Sequence, residues 1–204
     1  MGMLRQVFGP NIRDVWQKLC QEIGADFIEG GTWDGDRVQA SHGQWTITLD
    51  LYHVHSGRVP LVFTRFRAPY VNPDQFFFSV TKRSLFSGLA KLLGMQDIEV
   101  GYAEFDRDFI IKGNDELKLK ALFASERLRQ LLSAQPDVHF SIESDDGLAG
   151  SDYPPQTDAL CFVADGLISD VARLKSLFDL FAVTLDQLCL IGSAYEGEVP
   201  TKNC

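Results

Sequence analysis

The sequence predicts an α+β fold: an antiparallel β-meander packed against helices, with a long C-terminal helix. Three observations carry this expectation. Short alternating runs recur around the turn dipeptides Asp34-Gly35, His42-Gly43 and Ser56-Gly57. Apolar residues at helical spacing occupy both ends of the chain. Between them strand-like runs follow one another, without the strict alternation of βαβ units. The 204 residues, 45% hydrophobic and 23% charged, fit a single α+β domain spanning 1–204, with a loose tail from about 192.

"NIRDVWQKLCQEIG" sets Ile12, Val15, Trp16, Leu19 and Ile23 on one face between Pro10 and Gly24, which predicts an amphipathic helix. The meander follows. With His42-Gly43 and Ser56-Gly57 as two-residue loops, Ala40 opposes Trp45, Val38 opposes Ile47, and Leu49 and Leu51 oppose Thr64 and Val62. Trp45, Ile47, Leu49 and Leu51 then share a core face, while Thr46, Thr48 and Asp50 share the other, with Arg65 diagonal to Asp50.

"APYVNPD" reads as a loop because of its prolines, and "QFFFSVTK" as the next strand. "SLFSGLAKLLG" predicts a short helix stopped at Gly94, and "DIEVG" and "EFDRDFIIKG" two strands. "NDELKLKALFA" and "SERLRQLLSA" predict two short helices capped by Asn114 and Ser125. "DVHFSIES" is a strand with Val138, Phe140 and Ile142 on one side; a loop, "DDGLAGSDYPPQTD", leads to the strand "ALCFVADG". The closing helix opens near Ser169 and carries Val171, Leu174, Leu177, Phe178, Phe181, Leu185, Leu188 and Cys189 as one stripe.

Charge and motifs narrow the function. With 28 acidic against 19 basic residues the net charge is -9, and no Lys/Arg run offsets it, so nucleic acid is not an expected partner. No apolar run approaches the roughly 20 residues that span a bilayer. "MGMLRQ" carries no apolar signal stretch, and the cysteines at 20, 161, 189 and 204 form no CxxC pair. The expectation is a soluble cytoplasmic protein with reduced thiols and no cofactor. There is no Gly-x-Ser-x-Gly elbow, and Gly30-Gly31 precedes a strand where a phosphate cradle needs a helix.

Four groups of residues remain as candidates. His53 and His55 project on one strand face; they are metal ligands if further ligands come from elsewhere, and solvated rim residues otherwise. Read as a strand, "EFDRDFII" puts Arg107 on the apolar side with Phe105, Phe109 and Ile111. There it must pair with a carboxylate such as Asp97 or Asp106, reach the rim of the sheet, or capture an anionic ligand. Asp106 and Asp108 have the spacing of an acid and base pair, and equally of any solvated strand face. Tyr52, Val54, Val59, Leu61 and Phe63 gather on the outer face of the second hairpin, a patch for a covering helix or a partner.

The stretch "LLGMQDIEVGYAEFDRDFIIKGND", followed by "LKALFASERLRQLL", resembles a group of uncharacterised bacterial proteins. These carry a Gly-x-x-Asp-[IV]-x-[IV]-Gly segment, then Phe-Asp-x-x-[FY]; Gly94, Asp97, Gly101, Phe105, Asp106 and Phe109 are the matching positions. Some of these proteins have membrane-spanning segments, which this sequence lacks. The resemblance implies no activity.

The expected function is a non-catalytic binding or protein-interaction module that uses the hairpin face, Tyr52, Leu61 and Phe63, for a protein partner or a homodimer. The competing expectation is a small, hydrolase-like enzyme with a site at Arg107, Asp97 and Asp106.

Overall fold

The computed structural model of the chain describes residues 11–31, 35–56, 59–85, 97–144 and 157–194. The elements run α1 (Ile12–Ile23), β1 (Asp26–Ile28), β2 (Arg37–His42), β3 (Trp45–Ser56), β4 (Val59–Val71), β5 (Phe78–Lys82) and a 3-10 turn (Arg83–Leu85). There follow α2 (Ala103–Asp108), β6 (Phe109–Gly113), α3 (Glu116–Leu122), α4 (Glu126–Ser133), β7 (His139–Ser144), β8 (Thr157–Asp165) and α5 (Val171–Leu190). The strands form one eight-stranded antiparallel sheet in the order β1-β2-β3-β4-β8-β7-β5-β6. Among the described residues no helix is long and apolar enough to cross a membrane.

One apolar row crosses the whole sheet: Phe27, Val38, Leu49, Phe66, Phe162, Phe140, Val80 and Ile111 are successive cross-strand partners. Side chains alternate along a strand, so this row and its i±2 neighbours make one buried face. Every helix, α1 to α5, contributes to the core cluster over that face. Phe178 and Phe181 of α5 meet Phe66 at 5.1 and 5.8 Å between ring centroids, and Phe181 meets Phe140 at 5.7 Å. The next row, Gln39, Thr48, Arg67, Cys161, Ser141, Ser79 and Lys112, is polar and lies on the opposite face.

Helix ends follow local chemistry. Asn11 accepts from the Arg13 amide, and Gly24 closes α1 at φ 68°, the left-handed conformation that glycine adopts without steric cost. Ser125 caps α4 through the Leu128 amide, and Asp170 caps α5 through the amides of Ala172 and Arg173.

Several expectations change. Both meander registers shift by two residues: Val38 opposes Leu49, and Leu49 opposes Phe66. His42 pairs with Trp45, so the turn is Gly43-Gln44; the glycine, at φ 56°, takes the first central position, as in a type II′ turn. A shift of two keeps every side chain on its face, so the core side chains are those expected. Asp50 comes directly opposite Arg65.

β4 continues through Pro69 to Val71 where a loop was expected. Past Arg67 no β3 residue is registered with it, so Pro69 points its missing N–H to an unpaired side. The helix cap before α3 is Asp115, which accepts from the Lys118 amide; Asn114 instead bridges the Phe77 amide and the Gln75 carbonyl. Asp97 forms a single bridge to Lys112 where "DIEVG" predicts a strand. The helix expected up to Gly94, the loop after β7, the Asp34 turn position and the tail beyond 194 lie outside the described residues.

Phe181→Ala should lower stability by about 3–5 kcal/mol in urea unfolding, because it opens the space between α5 and two strands. At Gly113 an added Cβ would lie 2.7 Å from Leu119 Cδ1 and 2.8 Å from the Phe77 carbonyl oxygen. Gly113→Ala should therefore destabilise by about 1–3 kcal/mol, read the same way.

Candidate functional site

β3 and β4 are longer than the strands that flank them. β2 is registered with β3 over Trp45 to Leu49, and β8 with β4 from Thr64 onward. Among the described residues the remaining pairs, from Tyr52 opposite Phe63 to Ser56 opposite Val59, form a two-stranded ribbon beyond the strands on either side. Its base is held by Thr64, whose buried hydroxyl donates to the Gly166 carbonyl at 2.8 Å and accepts from the Ile168 amide at 3.0 Å. The Gly166 amide donates to the Val62 carbonyl at 2.9 Å.

Tyr52 and Val54 alternate onto the outer face of the ribbon, opposite Phe63 and Leu61. Tyr52 is 43% exposed and Leu61 49%, and the Tyr52 and Phe63 rings lie 6.3 Å apart. Leu167, next to the residue that bridges Phe63, is exposed as well. The side chains of His55 and Val59 lie outside the described part.

Beside the patch stands a charged brace. Arg65 makes two parallel hydrogen bonds to Asp50, each 2.8 Å, and Arg67 Nη2 adds a third to Asp50 Oδ2 at 2.9 Å. The three side chains are about four-fifths buried. The Arg65 guanidinium also covers the Tyr52 ring at 4.8 Å, which fixes one wall of the patch by a cation–π contact. One carboxylate between two guanidiniums leaves a local excess of positive charge on an acidic chain.

Arg107 is not on an apolar face. Residues 103–108 are helical, so Phe105 and Phe109 meet as an i,i+4 pair with rings 4.6 Å apart. Arg107 projects into solvent and pairs with its neighbour Asp108 at 3.0 Å. Asp106 spends its carboxylate on three backbone amides, those of Val100, Gly101 and Tyr102, all at 2.9 Å. It ties the turn that starts the helix, where Gly101 takes φ 94°. Asp97 is exposed and 3.9 Å from Lys112. Arg107, Asp97 and Asp106 thus have three different partners. His53 is exposed opposite Val62, and no group of three metal-ligating side chains occurs among the described residues.

Two grooves lie among the described residues. One, of roughly 760 Å³, runs between α1, α4 and α5 past Lys18, Glu22, Arg127 and Lys175. Its charges are tied to one another: Lys175 to Glu22 at 3.0 Å and Arg127 to Asp179 at 3.3 Å. The other, of roughly 540 Å³, lies over β5 and β7 and is lined by Ser79, Thr81, His139, Ser141 and Glu143. Nearby, burial pushes the Cys161 thiol far above its ordinary range, with Glu143 adding to the effect, so this cysteine stays protonated. Neither groove is lined by Arg107, Asp97 or Asp106.

A cluster that the sequence gives no sign of joins Asp74, Lys118 and Ser193. Lys118 Nζ contacts the Asp74 carboxylate and donates to Ser193 Oγ at 3.1 Å, and Ser193 Oγ donates to Asp74 at 2.9 Å. Residues so far apart in the chain share no local pattern. The cluster fastens the end of α5 to the β4–β5 connection. Burial alone would raise the Asp74 carboxyl, but the bonds from Lys118 and Ser193 outweigh it and hold it below its ordinary value.

The architecture is an open antiparallel sheet with helices on one face and a protruding ribbon. No protein-family model matches the chain, and no curated protein matches it. Among solved structures it is similar to the crystal structure of the mycobacterial trehalose monomycolate transport factor A, TtfA. The TM-score is 0.51 at 8% identity, over 86% of this chain and 93% of that one. The likeness is one of fold.

Asp50→Ala leaves two largely buried guanidiniums without their carboxylate and should cost about 2–3 kcal/mol in urea unfolding. Because the folded-state Asp74 carboxyl is depressed, its contribution is present above the unfolded carboxyl pKa of about 4 and is lost as pH falls through the folded value. The stability gap between the native chain and Asp74→Asn should accordingly be constant near neutral pH and close on acidification, as followed by thermal unfolding.

Proposed function

We propose that the chain is a non-catalytic binding module, cytoplasmic, that engages a protein partner through the outer face of the β3–β4 ribbon. The observation that carries this is the exposure of Tyr52 and Leu61, 43% and 49%, on a ribbon that reaches past its neighbouring strands. Stranded apolar side chains at a protruding, braced position lose water on contact with a complementary surface, and an aromatic anchor contributes most to such contacts. The brace supports the reading further. Arg65 holds the Tyr52 ring from one side and is itself fixed by Asp50, so little side-chain freedom is lost on binding.

A hydrolase-like reading centred on Arg107, Asp97 and Asp106 has less support, since each of these residues is engaged separately and the guanidinium stands in solvent.

The test is site-specific photocrosslinking in the native host. A crosslinker at Leu61 should trap one discrete protein, whereas the same group at Leu117, an exposed residue of α3, should not. Tyr52→Ser with Leu61→Ser should abolish the crosslink placed at Phe63 while changing stability by less than about 1 kcal/mol. Equal trapping at both positions would refute the reading.

A further inference from the structure

The brace of Asp50, Arg65 and Arg67 has a third cation beside it. Val38 pairs with Leu49 on the core side, so by alternation Arg37 on β2 and Asp50 on β3 both project from the opposite face of the sheet. Arg37, Arg65 and Arg67 thus share the outer face of β2, β3 and β4 with a single described carboxylate. Asp26, Glu143 and Asp165 stand on the flanking strands β1, β7 and β8, and none of them forms an ion pair with the three arginines.

One carboxylate does not saturate three guanidiniums, each of which offers five N–H donors in a planar fork. Arg65 commits Nε and Nη2 to Asp50, and Arg67 commits Nη2 alone. Arg67 Nε is buried without an acceptor. Arg37, half-buried, makes no hydrogen bond or ion pair among the described residues. The side chains of Arg65 and Arg67 keep 16% and 23% exposure, so the group is reachable from solvent. Along β4 it adjoins the apolar patch, since Phe63 lies two residues from Arg65 and Leu61 four.

We propose that the protein partner assigned to the ribbon delivers a carboxylate to these arginines, from an acidic side chain about two to four residues away from a large apolar one. The inference rests on the reading above and adds the chemistry of the partner. Phe63 and Leu61 stand about 7 and 13 Å along the strand from Arg65, and an extended partner segment covers those distances in the same number of residues. Its apolar side chain then meets Tyr52 and Leu61 while its carboxylate takes the donors that Asp50 leaves over. Charge fixes the place. At a net charge of -9 the chain repels an acidic segment over most of its surface, so attraction at one group of arginines gives register as well as affinity. Asp50 keeps the Arg65 fork aligned beforehand, which limits the freedom lost on capture.

Two blocked peptides probe the site, acetyl-Glu-Thr-Leu-Thr-Phe-amide and its counterpart with Gln in place of Glu, each titrated into the isotope-labelled full chain and followed by NMR. The glutamate peptide should shift the amides of Tyr52, Phe63 and Arg65 and bind at least about fivefold more tightly than the glutamine peptide. Arg37 has no partner within the chain, so Arg37→Gln should leave the urea midpoint unchanged and still erase most of that preference. Arg67→Gln should erase it too, with some loss of stability, whereas Leu61→Ser should weaken both peptides alike. In the host, Arg37→Gln should lower the crosslink from Leu61 at least about fivefold. A crosslink that Arg37→Gln leaves unchanged overturns this inference alone, and a native Leu61 that traps no protein overturns the ribbon reading with it. Equal binding of the two peptides, binding of neither, or a preference that survives both arginine substitutions also overturns it. Inorganic phosphate that displaces the glutamate peptide below about 1 mM does so in favour of a free anion, and a native dimer that Arg37→Gln dissolves does so in favour of a second copy.

Discussion

The rest of the structure depends on a single row of apolar contacts. From Phe27 on β1 to Ile111 on β6, one side chain per strand is aligned on the helix-covered face of the sheet. Three consecutive members, Phe66, Phe162 and Phe140, lie where the two parts of the sheet join, and α5 lays Phe178 and Phe181 against two of them. Burial of these rings fixes the height of α5 over the sheet, and α5 in turn receives α1 and α4. With the five described helices committed to this side, the other face carries a polar row. The outer apolar residues of the ribbon belong to that face, and Tyr52 and Leu61 there stay in water.

The fold class was legible because side-chain alternation survives small errors of register. A loop misplaced by one residue moves the pairing by two, and a displacement of two returns every side chain to the same face. Trp45, Ile47 and Leu49 are buried under either pairing, and Tyr52 and Leu61 are outside under either. Strand pairing itself depended on whether Gly43 stands first or second in its turn, which dipeptide composition does not decide.

Arg107 shows where alternation misleads. Phe105, Arg107, Phe109 and Ile111 satisfy a period of two, yet Phe105 and Phe109 also satisfy a helical i,i+4 spacing, and the segment changes from helix to strand between Asp108 and Phe109. What decides is Asp106, whose carboxylate collects three amides and nucleates the turn, a use invisible without the backbone. The Asp74, Lys118 and Ser193 cluster was illegible for another reason, since its members are brought together only by the completed tertiary structure. The brace lay between these cases. Asp50 and Arg65 were placed on one face by alternation, and only the true register turned a diagonal into a direct bidentate pair.

The position of β8 has a consequence for how the chain is made. β4 and β7 are both synthesised before β8, yet in the finished sheet they meet only through it. Until β8 pairs, a meander ending in β4 and a smaller β5–β6–β7 unit each have an unsatisfied edge toward the gap. Closing that gap requires β4 to find a partner about 90 residues downstream, the kind of distant pairing that slows folding. The nascent chain therefore passes through a period in which two half-sheets must avoid other strands, and its exposure to misassembly ends when the last strand is inserted and α5 covers the join.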